Sequence, residues 1–145
     1  LSGTLHKADI TVVDASDLPK MNWTRGLSWL KENRAKGRDV YKITDAVFGT
    51  IHGAFSISDA GDHMYINLLE VAPSNRNKAN LRNYCNVSKI IIGAAGAISI
   101  QKGYDGYLAL TPKSDLYDYY ANKFKAYALP DRKMGIAGVV PKTLD

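Results

Sequence analysis

A helix paved with small residues, Gly93-Ala94-Ala95-Gly96-Ala97, stands between two strand-like runs at 64–71 (MYINLLEV) and 107–111 (YLALT). Apolar positions 87, 90, 91, 94 and 98 recur at helical spacing, so a helix from about residue 87 to Gln101 is expected, with Lys102 and Gly103 ending it. Each glycine costs about 1 kcal/mol in helix propensity relative to alanine, and close packing of a flat helix face on a sheet is the compensation expected. Two strands joined through such a helix form a parallel pair with a right-handed crossover, because a tight turn can join only antiparallel neighbours.

The segments on either side extend this unit. A short strand is expected at 9–13 (DITVV), a helical region from about Trp23 to Ala35, a strand at 40–44, and a stronger one at 50–58 (TIHGAFSIS). The DAGD turn at 59–62 makes a hairpin of that strand and 64–71. After 111 a second helix begins near Pro112 to Asp115, capped by Thr111 or Ser114, with Leu116, Tyr120, Phe124 and Tyr127 as its buried stripe. The chain closes with one or two short strands interrupted by Pro130 and Asp131. The fold class is therefore α/β with a mixed sheet, antiparallel strands leading into a parallel pair with helices on both faces. With 145 residues it is read as one domain, 1–145, large enough to bury a core unaided.

Composition excludes several classes. Hydrophobic content of 46% and charged content of 23% are ordinary for globular proteins, and no apolar run approaches the roughly 20 residues of a membrane span. No export signal is recognised, so the cytoplasm is the expected compartment. One cysteine, Cys85, excludes an internal disulfide framework, and three histidines give no zinc cluster, so no metal is expected. The net charge of +5 suits an anionic ligand. Arg76, Lys78, Arg82 and Lys89 gather in 76–89 without an acidic neighbour, but no nucleic-acid reader motif accompanies them.

The runs LLEVAP at 68–73, RNYCNVSK at 82–89, KGYDGYLAL at 102–110 and LYDYYANKF at 116–124 resemble the GNAT superfamily of acyl-CoA-dependent N-acyltransferases. The resemblance covers nearly the whole chain and is strongest from about 50 to 127. It implies a GNAT-like fold with acetyl-CoA as co-substrate and an amine of unknown identity as acceptor. It places the pantetheine arm at the end of 64–71 and the pyrophosphate at the turn and helix start around Asn86, Val87, Ser88 and Lys89, aided by Arg82 or Arg76. Asn86 and Ser88 stand at the two glycine places of the family's pattern; asparagine tolerates a left-handed backbone and serine is a common cap. Lys113 stands where the family has an asparagine and is a further coenzyme contact.

Transfer from a thioester to an amine needs a neutral amine, a polarised carbonyl and a proton for the departing thiolate. The resemblance gives these tasks to Glu70 as base, to a backbone amide near Val71, and to Tyr120 as acid. Each has a plainer reading: Glu70 as a solvent-facing strand carboxylate, Tyr120 as a core tyrosine. Trp23 and Trp29 either border the acceptor pocket or pack in the core, and Cys85 is read as an inert thiol. Replacements at Asn86, Ser88 and Lys113 favour an alternative: a catalytically degenerate module that keeps the fold for coenzyme or protein binding. An exposed terminal strand offers a way for two copies to pair as a homodimer.

Overall fold

Among the described residues seven strands, β1 (Ala8–Val12), β2 (Asp39–Asp45), β3 (Ile51–Asp59), β4 (Met64–Val71), β5 (Leu108–Leu110), β6 (Tyr127–Ala128) and β7 (Met134–Ile136), form one sheet in the order β1-β2-β3-β4-β5-β7-β6. This is a computed structural model; it describes residues 8–73, 81–113 and 116–138, with 81–85 described through their backbone. The helices are α1 (Trp29–Arg34), α2 (Leu81–Gln101) and α3 (Tyr117–Phe124), and a short 3₁₀ turn covers Leu18–Met21. Pairing is antiparallel for β1 with β2, β5 with β7 and β6 with β7, and parallel for β4 with β5, where Met64, Tyr65 and Ile66 face Leu108, Ala109 and Leu110. The expected mixed sheet and its parallel pair around the small-residue helix are present.

The chain divides into two compact units, one formed by the described residues within Leu1–Ser56 and Leu68–Ile91, the other by those within Ile57–Asn67 and Ile92–Asp145. Strands β3 and β4 and helix α2 contribute to both. In the first unit Val13, Met21, Trp29, Val40 and Ala54 are buried together, with Leu18, Trp23, Ile51 and Leu68 packed against them. In the second, β5 and β7 are buried along their whole lengths, which explains why LAL and MGI read as continuous apolar runs. β6 and β7 form a hairpin through Asp131 and Arg132, both at positive φ, the backbone a two-residue turn requires.

Close approach of helix and sheet depends on a glycine of the strand. A Cβ on Gly53 of β3 would lie 2.8 Å from Val87 Cγ1 and 3.0 Å from the Glu70 carbonyl oxygen, whereas one on Gly93 of α2 would meet nothing within 4 Å. The flat-helix expectation is corrected at Gly93 on this ground. The buried side of α2 includes Val87, Ser88, Ile91, Ile92, Ala95 and Ser99, rotated from the stripe expected through 90, 94 and 98.

Element ends differ from expectation where side chains or special backbone intervene. The helical region expected over 23–35 contracts to α1, because Gly26 at φ +90° breaks the backbone and Ser28 starts a new helix by accepting the Lys31 N–H. Helix α2 starts at Leu81 rather than near 87, since residues 81–86 contain no glycine or proline to stop it. Helix α3 starts only at Tyr117, without a side-chain cap, and ends at Lys125 in the left-handed region, so Tyr127 lies in β6 and leaves the helical stripe. Thr111 is engaged elsewhere, 2.6 Å from the Tyr65 hydroxyl; Ser114, the other expected cap, lies outside the described residues.

Candidate functional site

Glu70 is the penultimate residue of β4 and is 5% exposed. A buried carboxylate is costly unless hydrogen-bonded, and this one is met on both oxygens. The indole Nε1–H of Trp29 donates to Oε1 at 2.7 Å and the Thr24 hydroxyl donates to Oε2. Both donors are neutral, so the carboxylate is oriented without a countercharge from either. Trp29 is itself 2% exposed and opens α1 directly after the Ser28 cap, while Thr24 sits in the bend before it. The break at Gly26 that shortens α1 thus lets both donors turn toward β4. Glu70 is not the solvent-facing carboxylate that is the plainer reading of a strand glutamate.

The backbone beside it has a defined direction. The Ala72 N–H donates to the His52 carbonyl of β3 at 2.8 Å, and backbone groups of successive extended residues alternate sides, so the Val71 N–H points away from β3. On that side β4 runs on past its register with β5, which ends at Ile66 facing Leu110. The Val71 side chain is buried.

After β4, Ala72 and Pro73 form one wall of an open hollow of about 500 Å³ in the first unit, whose other lining residues include Lys20, Trp23, Phe48 and Ile51. Trp23, for which two readings were open, is half-buried: it packs on the core cluster and also lines this hollow. The turn carrying Phe48 is pinned by Asp45, which accepts N–H bonds from Val47, Phe48 and Thr50 and lies 3.0 Å from His52 Nε2. The Phe48 amide above all, with the His52 ring and the Val47 amide, holds the Asp45 carboxyl down at about 2.

Around the expected phosphate site the geometry differs from expectation. Asn86, Val87, Ser88 and Lys89 lie inside α2, more than a turn past Leu81, where helix geometry commits amides to carbonyls four residues back. Val87 and Ser88 are fully buried, Asn86 is half-buried and Lys89 is exposed. The Arg82 and Cys85 side chains, and Arg76 and Lys78, lie outside the described residues. Lys113 is exposed after β5.

Tyr120 belongs to the second unit and is 2% exposed on α3. Its ring meets Tyr119 edge-on at 5.3 Å and Phe124 at 5.7 Å, and its carbonyl accepts the N–H of Lys125 that closes the helix. Among the described residues no three His, Cys, Asp or Glu side chains gather to hold a metal, and no helix is long and apolar enough to cross a membrane.

Sequence reasoning found Glu70 but not what holds it. Thr24 and Trp29 are 46 and 41 positions away, and no local pattern signals such a pairing. The Asp45 turn had a signal, an aspartate four residues before Gly49, that marks a side chain bonding the backbone after it.

No protein-family model matches this sequence, and no curated protein sequence matches it. Solved structures do. The chain is similar to the spermidine/spermine N-acetyltransferase SpeG from Vibrio cholerae, with TM-score 0.63 and 11% identity over 90% of this chain and 94% of that one. It is similar to a GNAT-family acetyltransferase from Staphylococcus aureus, with TM-score 0.58 and 10% identity over 89% and 98%. A third similar structure is AtaTR bound with acetyl-CoA, with TM-score 0.59 and 10% identity over 88% and 91%. The fold is that of the GNAT acetyltransferases.

Proposed function

We propose that this protein is an N-acetyltransferase that moves an acetyl group from acetyl-CoA to an amine by direct transfer, in the cytoplasm. The observation that carries the reading is Glu70: a buried carboxylate, held on both oxygens by Trp29 and Thr24, at the strand end that the GNAT resemblance assigns to the thioester. A strand residue serving only the fold needs no such charge, since an apolar side chain of the same size packs there at lower cost.

Several features suit the co-substrate. The β4 main chain past Ile66 offers peptide groups to the pantetheine arm, and the first-turn amides of α2 offer the positive end of a helix to pyrophosphate. Arg82, Lys89 and Lys113 add positive charge; Asn86 is a polar neighbour, whereas the buried Val87 and Ser88 support the helix from inside. Acetyl-CoA supplies a thioester, a carbonyl carbon already activated toward an amine.

Glu70 receives the proton that the amine sheds as its nitrogen bonds to the carbonyl carbon, directly or through water. The Val71 N–H, directed away from β3, stabilises charge on the carbonyl oxygen. As the carbon–sulfur bond breaks, the Tyr120 phenol gives its proton to the departing thiolate and regains one from solvent. No covalent enzyme intermediate is needed.

Calorimetry and thermal melting with acetyl-CoA, then thiol release across an amine panel, test this. A ligand at a hundred times its dissociation constant stabilises the folded state by about 2.7 kcal/mol, easily visible in a melt. The absence of both binding heat and thermal shift at millimolar acetyl-CoA rejects the proposal. The position of Asn86–Lys89 inside α2 favours one alternative, a module that keeps the fold without turnover. Binding of acetyl-CoA without thiol release for any amine establishes that alternative instead.

A further inference from the structure

One large ring of the first unit has no place in its core. Phe48 is 77% exposed, yet its turn is not loose, since Asp45 fixes the amides of Val47, Phe48 and Thr50. An exposed apolar ring on a pinned turn is a wall awaiting something to cover it. The hollow it borders is otherwise lined by Trp23, Ile51, Ala72 and Pro73, and the charge on its lining is Lys20, with no carboxylate among the lining residues. Its volume of about 500 Å³ is that of a small-ligand site, mostly apolar with a few polar groups. Ala72 is two residues past Glu70, about 7 Å along an extended chain, so the hollow begins close to the strand end that carries the carboxylate.

We propose that the hollow is the acceptor subsite and takes a primary amine joined to an apolar, ring-sized body carrying an anionic group toward Lys20. This rests on the N-acetyltransferase reading and names its substrate class. Polyamines do not fit: a second ammonium needs a carboxylate, and here it meets Lys20. SpeG therefore resembles this chain in fold and differs from it in acceptor.

The test compares L-phenylalanine, phenethylamine and spermidine by thiol release with acetyl-CoA, and by saturation-transfer NMR without it. Phenylalanine is expected to exceed phenethylamine in kcat/KM by about fivefold, the upper range for a partly exposed ion pair, and spermidine to be poorest. Lys20→Ala, at an exposed position on the 3₁₀ turn, is expected to bring the phenylalanine to phenethylamine ratio close to one. Phe48→Ala, which removes a ring the core does not use, weakens both aromatic amines by about tenfold. Spermidine preferred over phenylalanine, a ratio unmoved by Lys20→Ala, or no NMR contact with either aromatic amine overturns the subsite even if acetyl transfer proceeds. Lys20-dependent NMR binding without thiol release leaves the subsite standing and removes the transfer reading.

Discussion

Glu70 of the first unit and Tyr120 of the second are both buried, but they are fixed by opposite means. Glu70 is held by two directional donors from distant positions, Trp29 and Thr24, whereas the Tyr120 ring is held by neighbours on its own helix, Tyr119 and Phe124. Directional bonds set where a charge points; ring packing sets where a ring sits and leaves its hydroxyl a separate matter. The carboxylate therefore depends on residues 41 and 46 positions away in the chain, while the Tyr120 ring depends on neighbours along its own helix.

The largest expected effect is at Glu70. Glu70→Gln keeps the shape and the Trp29 bond but cannot take a proton, so kcat/KM falls by about 10³-fold, most at low pH where the amine is hardest to deprotonate. Acetyl-CoA affinity by calorimetry should stay within twofold, taking about 0.4 kcal/mol as the tolerance; an active Glu70→Gln enzyme removes the base assignment. Tyr120→Phe comes next, with kcat lower by about 10²-fold and acetyl-CoA affinity retained. Unchanged turnover in that variant makes Tyr120 a core ring and nothing more.

Substituting the donors sharpens the contrast at a smaller scale. Trp29→Phe removes one N–H from a charged acceptor and is expected to cost about 1.5–3 kcal/mol in chemical denaturation. A loss well under about 1 kcal/mol shows that the indole N–H bond to Glu70 adds little to the fold.

The smallest effect is a pH dependence from Asp45. Its folded value of about 2 lies below the ordinary 3.8, so its contribution to stability is full above pH 4 and is lost as pH falls through 2. Acid titration of the Asp45→Asn variant should show a shallower loss between pH 4 and 2 than the parent; superimposable curves separate the turn's pinning from the carboxylate's charge.

The strand 64–71 was readable to the residue, because an apolar run ending at a proline is a local pattern. The start of α2 was not, since Asn86 is a good cap by type while 81–86 contain no glycine or proline to keep a helix from including them. The bend that shortened α1 was only half legible: Gly26 and Ser28 are in plain view, but their consequence, two donors turned toward β4, is a matter of three dimensions. The helix stripe and the close contact were misplaced for a related reason. Periodicity says that one face is buried, and only packing on Gly53 says which.

By itself the sequence determined the kinds and order of the elements, the parallel pair implied by a helical crossover, and the carboxylate at a strand end. These follow from period, propensity and chain geometry, all of which act over a few residues. The tertiary structure alone decided that Glu70 is buried, that Trp29 and Thr24 hold it, that the Val71 amide faces away from β3, and that Phe48 walls a hollow beside Lys20. Each of those depends on residues tens of positions apart meeting within a few ångströms, and hydrogen bonds of that reach leave no repeat in the chain that makes them.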